Sequence, residues 1–328
     1  MNTFERPGRA HPAARARDRR SPALRALATA SAAALVVTGS IAGATSAHAS
    51  PGQSVTSLRA LEVDDLAATV AGRGVDVRSA RFSGLPVQVG RFGGLDATGV
   101  ASGVALSTGS VIDADPQSEE DTDFTRSSIL GPNEKLTTTG DLGGAGAEDL
   151  EELFGATTYD AAVLTMRVVP RNANLRLTYV FGSEEYAGWS ERDFTDSFAV
   201  WVNGKPCSFV PRTRDLVSTA TVNEATNADR YVANFAPDDP EAGTHDTELN
   251  AFTTPLTCEA KVKAKRVATV VVAIADTADG QLDSTVLLAR DGLVSSGKGG
   301  GHGKGDDRGE GRGGHRWGGW NGHHAQHR

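Results

Sequence analysis

Alternating apolar and polar positions recur through the middle of the chain and predict β-strands. The segment from Leu175 to Phe181 alternates, and so does Phe198 to Val202, which is closed by Asn203-Gly204. A period of two residues is typical of strands that bury one face. Residues 267–275 are apolar on both faces, which predicts a central buried strand. Further runs with β character lie at 75–77, 80–82, 87–89, 99–109, 161–169, 207–210 and 284–289.

Helical patterns are few and short. Apolar spacing predicts one amphipathic helix over 58–70, and residues 148–154 predict a second, with acidic residues near its N-terminus. The polar stretch 111–146 predicts a long surface loop. Many short strands between Gly and Pro turns indicate a mainly β fold, a jelly-roll-like two-sheet β-sandwich with one or two short helices.

The two ends of the chain depart from this pattern. Residues 1–49 combine a basic region, an apolar run and a small-residue site ending at Ala49, which predicts a cleaved signal peptide for Sec or twin-arginine export. Residues 50–55 then form a short mature N-terminus, and 56–294 form one folded domain. The Gly/His/Arg-rich residues 295–328 predict a disordered tail. Without a second apolar run of spanning length, we expect no integral membrane anchor.

Net charge narrows the classes of partner. The chain carries −8, and residues 1–49 hold seven Arg against Glu5 and Asp18, so the mature chain carries −13. An acidic protein repels nucleic-acid phosphates, so we expect no nucleic-acid partner. The same charge favours divalent cations. The tail is slightly basic, which favours loose association with anionic cell-wall polymers.

The two cysteines, Cys207 and Cys258, predict a disulfide because exported proteins meet an oxidising environment. Such a bridge closes a loop of about fifty residues and contributes about 3–4 kcal/mol. Two free thiols are the alternative.

Acidic residues gather next to two of the predicted strands. Asp196 lies in phase with Phe198, and Asp276 lies in phase with Ile274, so both carboxylates point toward an apolar face. A carboxylate in that position must be neutralised, hydrogen-bonded or bound to a metal. We expect the loop 182–196 and the turn 276–283 to meet and bind Ca²⁺, which takes six to eight oxygen ligands. The candidate ligands are Glu184, Glu185, Asp193, Asp196, Asp276, Asp279 and Asp283.

Other roles for these acids are compatible with the sequence. They could cap turns, pair with Arg192 or face water. One of Glu184 and Glu185 could pair with Asp196 in a secreted carbohydrate-active hydrolase. The two glutamates are not themselves that pair, because neighbours on an extended chain face apart.

The aromatic residues of the same stretch divide into two groups. Tyr186 and Trp189 stand in the predicted loop and are candidates for contact with a ligand such as an extracellular glycan, or for covering the acidic site. Trp201 lies in the middle of a predicted strand, which indicates core packing.

Five separated motifs resemble those of the choice-of-anchor L domain family, in the family's order and across about 56–294. They are the segments Gly103–Gly109, Tyr159–Leu164, Tyr179–Tyr186, Phe194–Phe198 and Ile274–Ser284. The resemblance implies a bacterial secreted or surface protein whose family has no established catalytic activity. Together with the acidic residues, it leads us to expect a secreted or cell-surface binding or adhesion module with a Ca²⁺-supported site.

The chain departs from the family pattern in three places. Thr195 stands where members more often have Asn, and Asn250 stands where they commonly have Asp. Asn250 would be the weaker oxygen donor if that position binds a cation. No sorting motif follows the domain, which implies release or loose electrostatic retention at the cell wall.

Overall fold

The computed structural model of the protein describes residues 52–112, 127–131, 140–186, 196–234, 245–277, 280 and 282–297. The predicted signal peptide and most of the predicted tail lie outside these residues. Trp189, Asp193 and Asp279 lie outside them as well.

The described part of the chain contains thirteen β-strands and two α-helices, which confirms the mainly β prediction. The helices are α1 (Val63–Val70) and α2 (Glu148–Phe154). The strands are β1 (Ser54–Ser57), β2 (Val75–Ser83), β3 (Val89–Gly93), β4 (Ser102–Ser107), β5 (Thr158–Pro170), β6 (Asn174–Ser183), β7 (Ser197–Val202), β8 (Lys205–Pro206), β9 (Tyr231–Ala233), β10 (Ala251–Thr253), β11 (Leu256–Lys261), β12 (Ala268–Thr277) and β13 (Ser284–Ser296).

The strands form two antiparallel sheets, as predicted. Sheet A has the order β1-β3-β4-β13-β6-β10-β9, with β11 also paired to β6, and sheet B has the order β2-β5-β12-β7-β8. Strand β12 pairs with β5 on one side and β7 on the other. Its doubly apolar sequence therefore occupies the centre of sheet B, where both faces are covered.

The inner faces of the two sheets share one apolar core. Phe198 on β7 packs against Tyr179 and Phe181 on β6, with ring centroids 5.2 and 5.7 Å apart. On the outer face of sheet B, Trp201 joins a smaller cluster with Leu150 of helix α2. The prediction of core packing for Trp201 is therefore confirmed, and both faces of sheet B bury apolar side chains.

The N-terminal helix is shorter than its apolar spacing predicts. Leu58 donates its backbone N–H to the carbonyls of Pro86 and Val89, 3.2 and 3.0 Å away. These bonds continue the pairing that β1 makes with sheet A and exclude a helix at that point. Helix α1 instead begins after Glu62, whose backbone N–H donates to the Asp65 carboxylate at 3.2 Å, as in a capping box.

Two other local predictions are wrong. Residues 207–210 are not a strand, and Phe209 makes only an isolated bridge to Leu216. In the predicted surface loop 111–146, Ile112 and Ile129 are fully buried and pack with apolar side chains on the outer face of sheet A. Tertiary packing of isolated apolar pairs outweighs the polar composition of this stretch.

The predicted disulfide between Cys207 and Cys258 is present. Cys207 directly follows β8 in sheet B, while Cys258 lies on β11 in sheet A. The bond therefore joins the two sheets and closes a loop with a sequence separation of 51 residues.

Replacing both cysteines with serine should lower the free energy of unfolding by about 3–4 kcal/mol, because the unfolded chain gains the entropy of the open loop. Urea unfolding followed by circular dichroism measures this loss. A reducing agent should destabilise the wild type similarly and leave the double variant unchanged. Equal stability of the wild type with and without reductant would contradict a stabilising bridge.

Candidate functional site: a buried acidic cluster

Five acidic side chains come together where β6, β7, β12 and β13 meet, and we call them the acidic cluster. None of the five residues exposes more than 3% of its surface. The members are Glu184, Glu185, Asp196, Asp276 and Asp283.

Strand register explains the pairing of the two central aspartates. In the ladder between β7 and β12, Ser197 lies opposite Ala275. One further step along each strand brings Asp196 opposite Asp276, and directly opposed residues in antiparallel strands have Cβ atoms about 4.5–5.5 Å apart. The structure thus brings together the two carboxylates that strand phase selects.

Only some of the carboxylate oxygens of Asp196 and Asp276 accept a hydrogen bond. Asp196 Oδ1 accepts a bond from the backbone N–H of Thr277 at 3.1 Å. Asp196 Oδ2 and Asp276 Oδ1 are buried and accept no hydrogen bond of standard geometry, although the hydroxyls of Ser284 and Thr108 lie close enough to the two carboxylates to lower their pKa values. Since an unpaired buried carboxylate oxygen is costly, these two atoms are the least well satisfied of the aspartate pair.

The two glutamate carboxylates accept hydrogen bonds from backbone N–H groups next to strands of different sheets. The Asp283 backbone N–H donates to Glu184 Oε2 at 3.2 Å, and the Glu184 N–H donates to the Asp283 carbonyl at 2.9 Å. Glu185 Oε2 instead accepts from the backbone N–H of Asp196 at 3.2 Å. Glu184 is therefore hydrogen-bonded next to the start of β13 in sheet A, and Glu185 is hydrogen-bonded next to the start of β7 in sheet B. The two carboxylates thus bind different backbone segments, but Glu184 and Glu185 lie in a bend after β6 and not in extended chain.

A glycine makes room for the Asp283 carboxylate. A Cβ atom at Gly109 would overlap both carboxylate oxygens of Asp283. The neighbouring Thr108 hydroxyl accepts a bond from the Ser284 backbone N–H at 3.0 Å. The Ser-Thr-Gly end of the segment Gly103–Gly109 thus forms one wall of the acidic cluster.

Burial and like charge raise the pKa of the central carboxyls. Burial raises the pKa of Asp196 well above 3.8, and the Glu185 and Asp283 charges add to that effect. Burial likewise raises the pKa of Asp276, with further contributions from Asp196 and Asp283. The groups that shift these two pKa values include no basic side chain. Among the residues that the structure describes, no basic side chain therefore neutralises the pair; Arg192, the basic partner considered from the sequence, lies outside them.

Asn250 supports the cluster through its amide donor. Its side-chain NH₂ donates to the backbone carbonyl of Glu184 and, at 3.5 Å, to that of Tyr186. Its own backbone N–H donates to the Ser183 carbonyl at 3.1 Å. An ionised aspartate could not make the side-chain bonds, so Asn250 has a positioning role that its weaker oxygen does not reveal.

Of the two aromatic residues predicted to contact a ligand, the structure describes one. Tyr186 is fully buried and packs against Tyr231, with ring centroids 5.3 Å apart. The expectation that its ring is exposed for ligand contact is wrong, because the segment after β6 runs into the core. Trp189 lies outside the described residues, so its contact with a ligand stays a prediction.

Asp160 is an acidic residue near the cluster that sequence phase does not reveal. It lies on β5 in the left-handed conformation, with φ of 48°, and is fully buried. The ladder with β12 shifts between Ile274 and Asp276, which are opposite Ala162 and Tyr159. Such a bulge re-aims side chains, and its only sequence signal is an aspartate inside the strand-like segment Tyr159–Leu164.

Asp160 is held by backbone donors and influences the cluster. Its Oδ2 accepts from the Leu142 N–H at 2.8 Å, and its Oδ1 accepts from the Gly144 N–H. Burial raises its pKa, the charge of Asp141 raises it further, and the two backbone bonds act in the opposite direction. The Asp160 charge in turn contributes to the raised pKa of Asp276.

The carboxylates of the acidic cluster lie close together but do not form a coordination sphere. Among the residues that the structure describes, no group of three or more His, Cys, Asp or Glu side chains is arranged to hold a metal ion. Asp193 and Asp279, the other two predicted ligands, lie outside those residues, and their role stays a prediction. Within the same described ranges, no helix is long and apolar enough to cross a membrane.

Comparison with known proteins identifies the family. The family model of the choice-of-anchor L domain matches residues 54–293. The chain belongs to the choice-of-anchor L domain family. All described members of the acidic cluster fall inside the matched region, so the cluster is part of the family domain. Membership indicates a bacterial secreted or surface protein.

Individual proteins add little to the family assignment. No curated protein matches the chain significantly. Among solved structures, a β-glucosidase from Kluyveromyces marxianus in complex with glucose is similar at 11% identity and a TM-score of 0.19. The match covers 56% of this chain and 17% of that one. A TM-score this low supports no conclusion about fold or activity.

Gly109→Ala should destabilise the protein by about 1–3 kcal/mol, because the new methyl group displaces the Asp283 carboxylate from its wall. Chemical denaturation measures the change. Gly297→Ala is the matched control, since a Cβ there would only come within 3.8 Å of Asn172 Oδ1. Equal stability of the Gly109 and Gly297 variants would show that the wall is not tightly packed.

Stability in the presence of a chelator should depend on pH through the aspartate pair. The folded protein holds protons on Asp196 and Asp276 that the unfolded chain releases near pH 3.8, so ionisation weakens folding as pH rises. Asp276→Asn removes one charge of the pair. Its stability relative to wild type should therefore increase steadily from about pH 4 to neutral pH.

Denaturation of wild type and variant across this pH range measures the difference. Asp215→Asn is a suitable control because Asp215 is exposed. A difference between wild type and Asp276→Asn that does not change with pH would mean that the pair is not strained by its charge.

Proposed function

We propose that this chain is a secreted or surface-displayed binding or adhesion module whose acidic cluster binds Ca²⁺. The cation would neutralise the cluster and hold the ends of the two sheets together. In this proposal Ca²⁺ stabilises the module, and the ligand is an extracellular glycan or a cell-wall polymer.

One observation carries the cation proposal: two buried aspartates, with unpartnered oxygens, lie opposite each other. Asp196 and Asp276 each expose 2% or less of their surface. Their unpartnered oxygens, Asp196 Oδ2 and Asp276 Oδ1, can each accept a ligand bond. Two ionised carboxylates in such a site repel each other strongly, because the low local dielectric hardly screens them. A divalent cation would turn that repulsion into attraction.

Oxygen ligands and irregular geometry favour Ca²⁺ over other metals. The cluster offers carboxylates with hydroxyl and backbone carbonyl oxygens nearby, and no cysteine thiolate, since Cys207 and Cys258 are joined in a disulfide. Zinc and copper prefer nitrogen and sulfur ligands, whereas Ca²⁺ accepts six to eight oxygens at about 2.4 Å. The carboxylates would have to close around the ion, because they do not yet form a coordination sphere.

The burial of the acidic cluster limits what a bound cation could contact. Glu184, Glu185 and Asp196 lie inside the sandwich, so a cation bound there has no open face for a large ligand. Its effect on adhesion would be indirect, through the stability of the folded module. A glycan or wall polymer would then contact the module at another part of its surface.

The hydrolase alternative receives no support from the described geometry. A general acid must reach the glycosidic oxygen of its substrate, and a nucleophile must reach the anomeric carbon. The glutamates are engaged by the backbone of Asp283 and Asp196 instead of facing a cleft. The adhesion module is therefore the better-supported proposal.

Calcium should raise the thermal stability of the full chain at neutral pH relative to the same protein in chelator. A ligand that binds only the folded state contributes about 2.7 kcal/mol at one hundred times its Kd. Differential scanning calorimetry with millimolar CaCl₂ or EDTA measures the shift. Identical unfolding curves under the two conditions would eliminate the cation proposal and leave protonation as the means of neutralisation.

The Asp196→Asn variant separates charge from structure in that experiment. It should be at least as stable as wild type in EDTA, because it removes repulsion, and it should lose most of the calcium shift. Asp215→Asn, an exposed control, should keep the full shift. A uniform loss of stability in Asp196→Asn with an intact calcium shift would contradict the assignment of this residue as a ligand.

A further inference from the structure

Basic side chains collect at the end of the sandwich that lies away from the acidic cluster, and we call this group the basic end. They belong to the connections 71–74, 171–173 and 262–267 and to the adjoining ends of β6 and β11. All seven residues are exposed. The members are Arg73, Arg171, Arg176, Lys261, Lys263, Lys265 and Arg266.

Backbone hydrogen bonds join the three connections into one surface. The N–H groups of Arg171 and Lys265 donate to the carbonyls of Gly74 and Pro170, at 2.8 and 2.6 Å respectively. Segments that are distant in sequence are therefore held side by side. Because β5 belongs to sheet B and β6 to sheet A, the basic end spans the ends of both sheets.

Acidic residues neutralise only part of the basic end. Arg176 pairs with Glu259 at 3.0 Å, and Arg171 lies 4.0 Å from Asp76, with both of the latter side chains more than half exposed. Exposed ion pairs of this kind are weak. Within the described part of the chain, the other five basic side chains form no ion pair. Asp291 also borders the first connection through its backbone, so seven positive charges face three negative ones.

The acidic cluster is too far away to cancel this positive charge. Strand β6 runs from Asn174 at the basic end to Ser183, which directly precedes Glu184 of the acidic cluster. A strand of ten residues covers about 30 Å, whereas exposed charges are screened over about 8 Å at physiological ionic strength. The negative net charge of the chain therefore does not prevent an anion from binding at the basic end.

The chain continues from the basic end with more positive charge. Strand β13 ends at Ser296, opposite Asn174, and residues 298–328 contain six Lys and Arg against three Asp and Glu. Like charge disfavours these residues as an occupant of the basic end. The distribution of charge therefore favours an anion from outside the chain.

A groove at the edge of the basic end offers room for an anionic group. It has a volume of about 360 Å³ and lies where β6, β11 and β13 end, with Arg176 and Lys261 in its lining. The Arg176 guanidinium can bind phosphate or carboxylate oxygens through two parallel hydrogen bonds. Glu259 also lines the groove and pairs with Arg176, so an anion must compete with that carboxylate.

We propose that the basic end is the surface on which this module binds an anionic cell-wall polymer. The inference rests on the proposed function, because it specifies the ligand and the surface of the same binding module. A secreted or surface protein meets such polymers outside the cell. Their repeating anionic groups contact several of the dispersed basic side chains at once, whereas a small anion contacts one or two.

Fluorescence anisotropy of labelled poly(glycerol phosphate) with the full chain tests this inference, in EDTA so that calcium cannot connect the polymer to acidic side chains. Wild type should bind the polymer, and binding should weaken as NaCl is added, because salt screens exposed charges. The triple variant Lys263→Gln, Lys265→Asn, Arg266→Gln should bind about 10- to 100-fold more weakly, at roughly five-fold for each basic residue removed. Asn is chosen at position 265 because Lys265 has a φ of 60°.

Two further variants test the location of the surface. Arg81→Gln, Arg212→Asn, Arg214→Gln is the matched control, because these three residues are exposed and lie outside the basic end. It changes the net charge of the chain by the same amount and should bind like wild type. Glu259→Gln should bind the polymer more tightly than wild type, because it frees Arg176.

The outcomes separate this inference from the proposed function. Equal affinity of the triple variant and its matched control overturns the basic end as the binding surface. Binding of neutral dextran alone by wild type overturns the inference and leaves the binding module, whereas binding of neither polymer overturns both. Tighter binding of single-stranded DNA with the same number of phosphates overturns the cell-wall polymer as the ligand. The calcium-dependent calorimetric shift tests the cation proposal independently of all these results.

Discussion

Electrostatic repulsion inside an apolar sandwich is the constraint on which the acidic end of this structure depends. Strands β7 and β12 place Phe198 and Ile274 in the apolar core. Asp196 and Asp276 lie two residues away from them along the chain and are buried on the same side. The register that packs the core therefore also sets the two charges opposite each other. The fold cannot move the two charges apart without disturbing the core packing.

The same constraint explains the small residues and backbone donors around the acids. Gly109 leaves space for Asp283, Asn250 holds the backbone of Glu184, and Asp160 occupies a left-handed position at a bulge. Each feature orients a carboxylate and none stabilises a sheet by itself. Strained or specialised backbone of this kind is typically retained where a site requires it.

Sequence alone could predict the parts of this arrangement that follow from strand period. Phase identified Asp196 and Asp276, and the apolar run 267–275 identified the central strand, because both depend on regular alternation. Asp160 was not predictable in this way, since a bulge breaks the alternation at that residue. Tyr186 was misassigned because a polar neighbourhood suggests a surface loop. Ile112 and Ile129 were misassigned for the same reason, since packing of distant segments is invisible to local pattern.

The disulfide and the acidic cluster connect the sheets at different places. Cys258 lies opposite Leu177 on β6, six residues before Ser183 at the strand's end, which is about 20 Å along the strand. The covalent bond therefore cannot restrain the strand ends where Glu184 and Glu185 diverge toward the two sheets. Hydrogen bonds to the acidic side chains hold the strand ends together, and the repulsion between those acids opposes the hydrogen bonds. A cation there would act as the second tie between the sheets, and a disulfide elsewhere could not replace it.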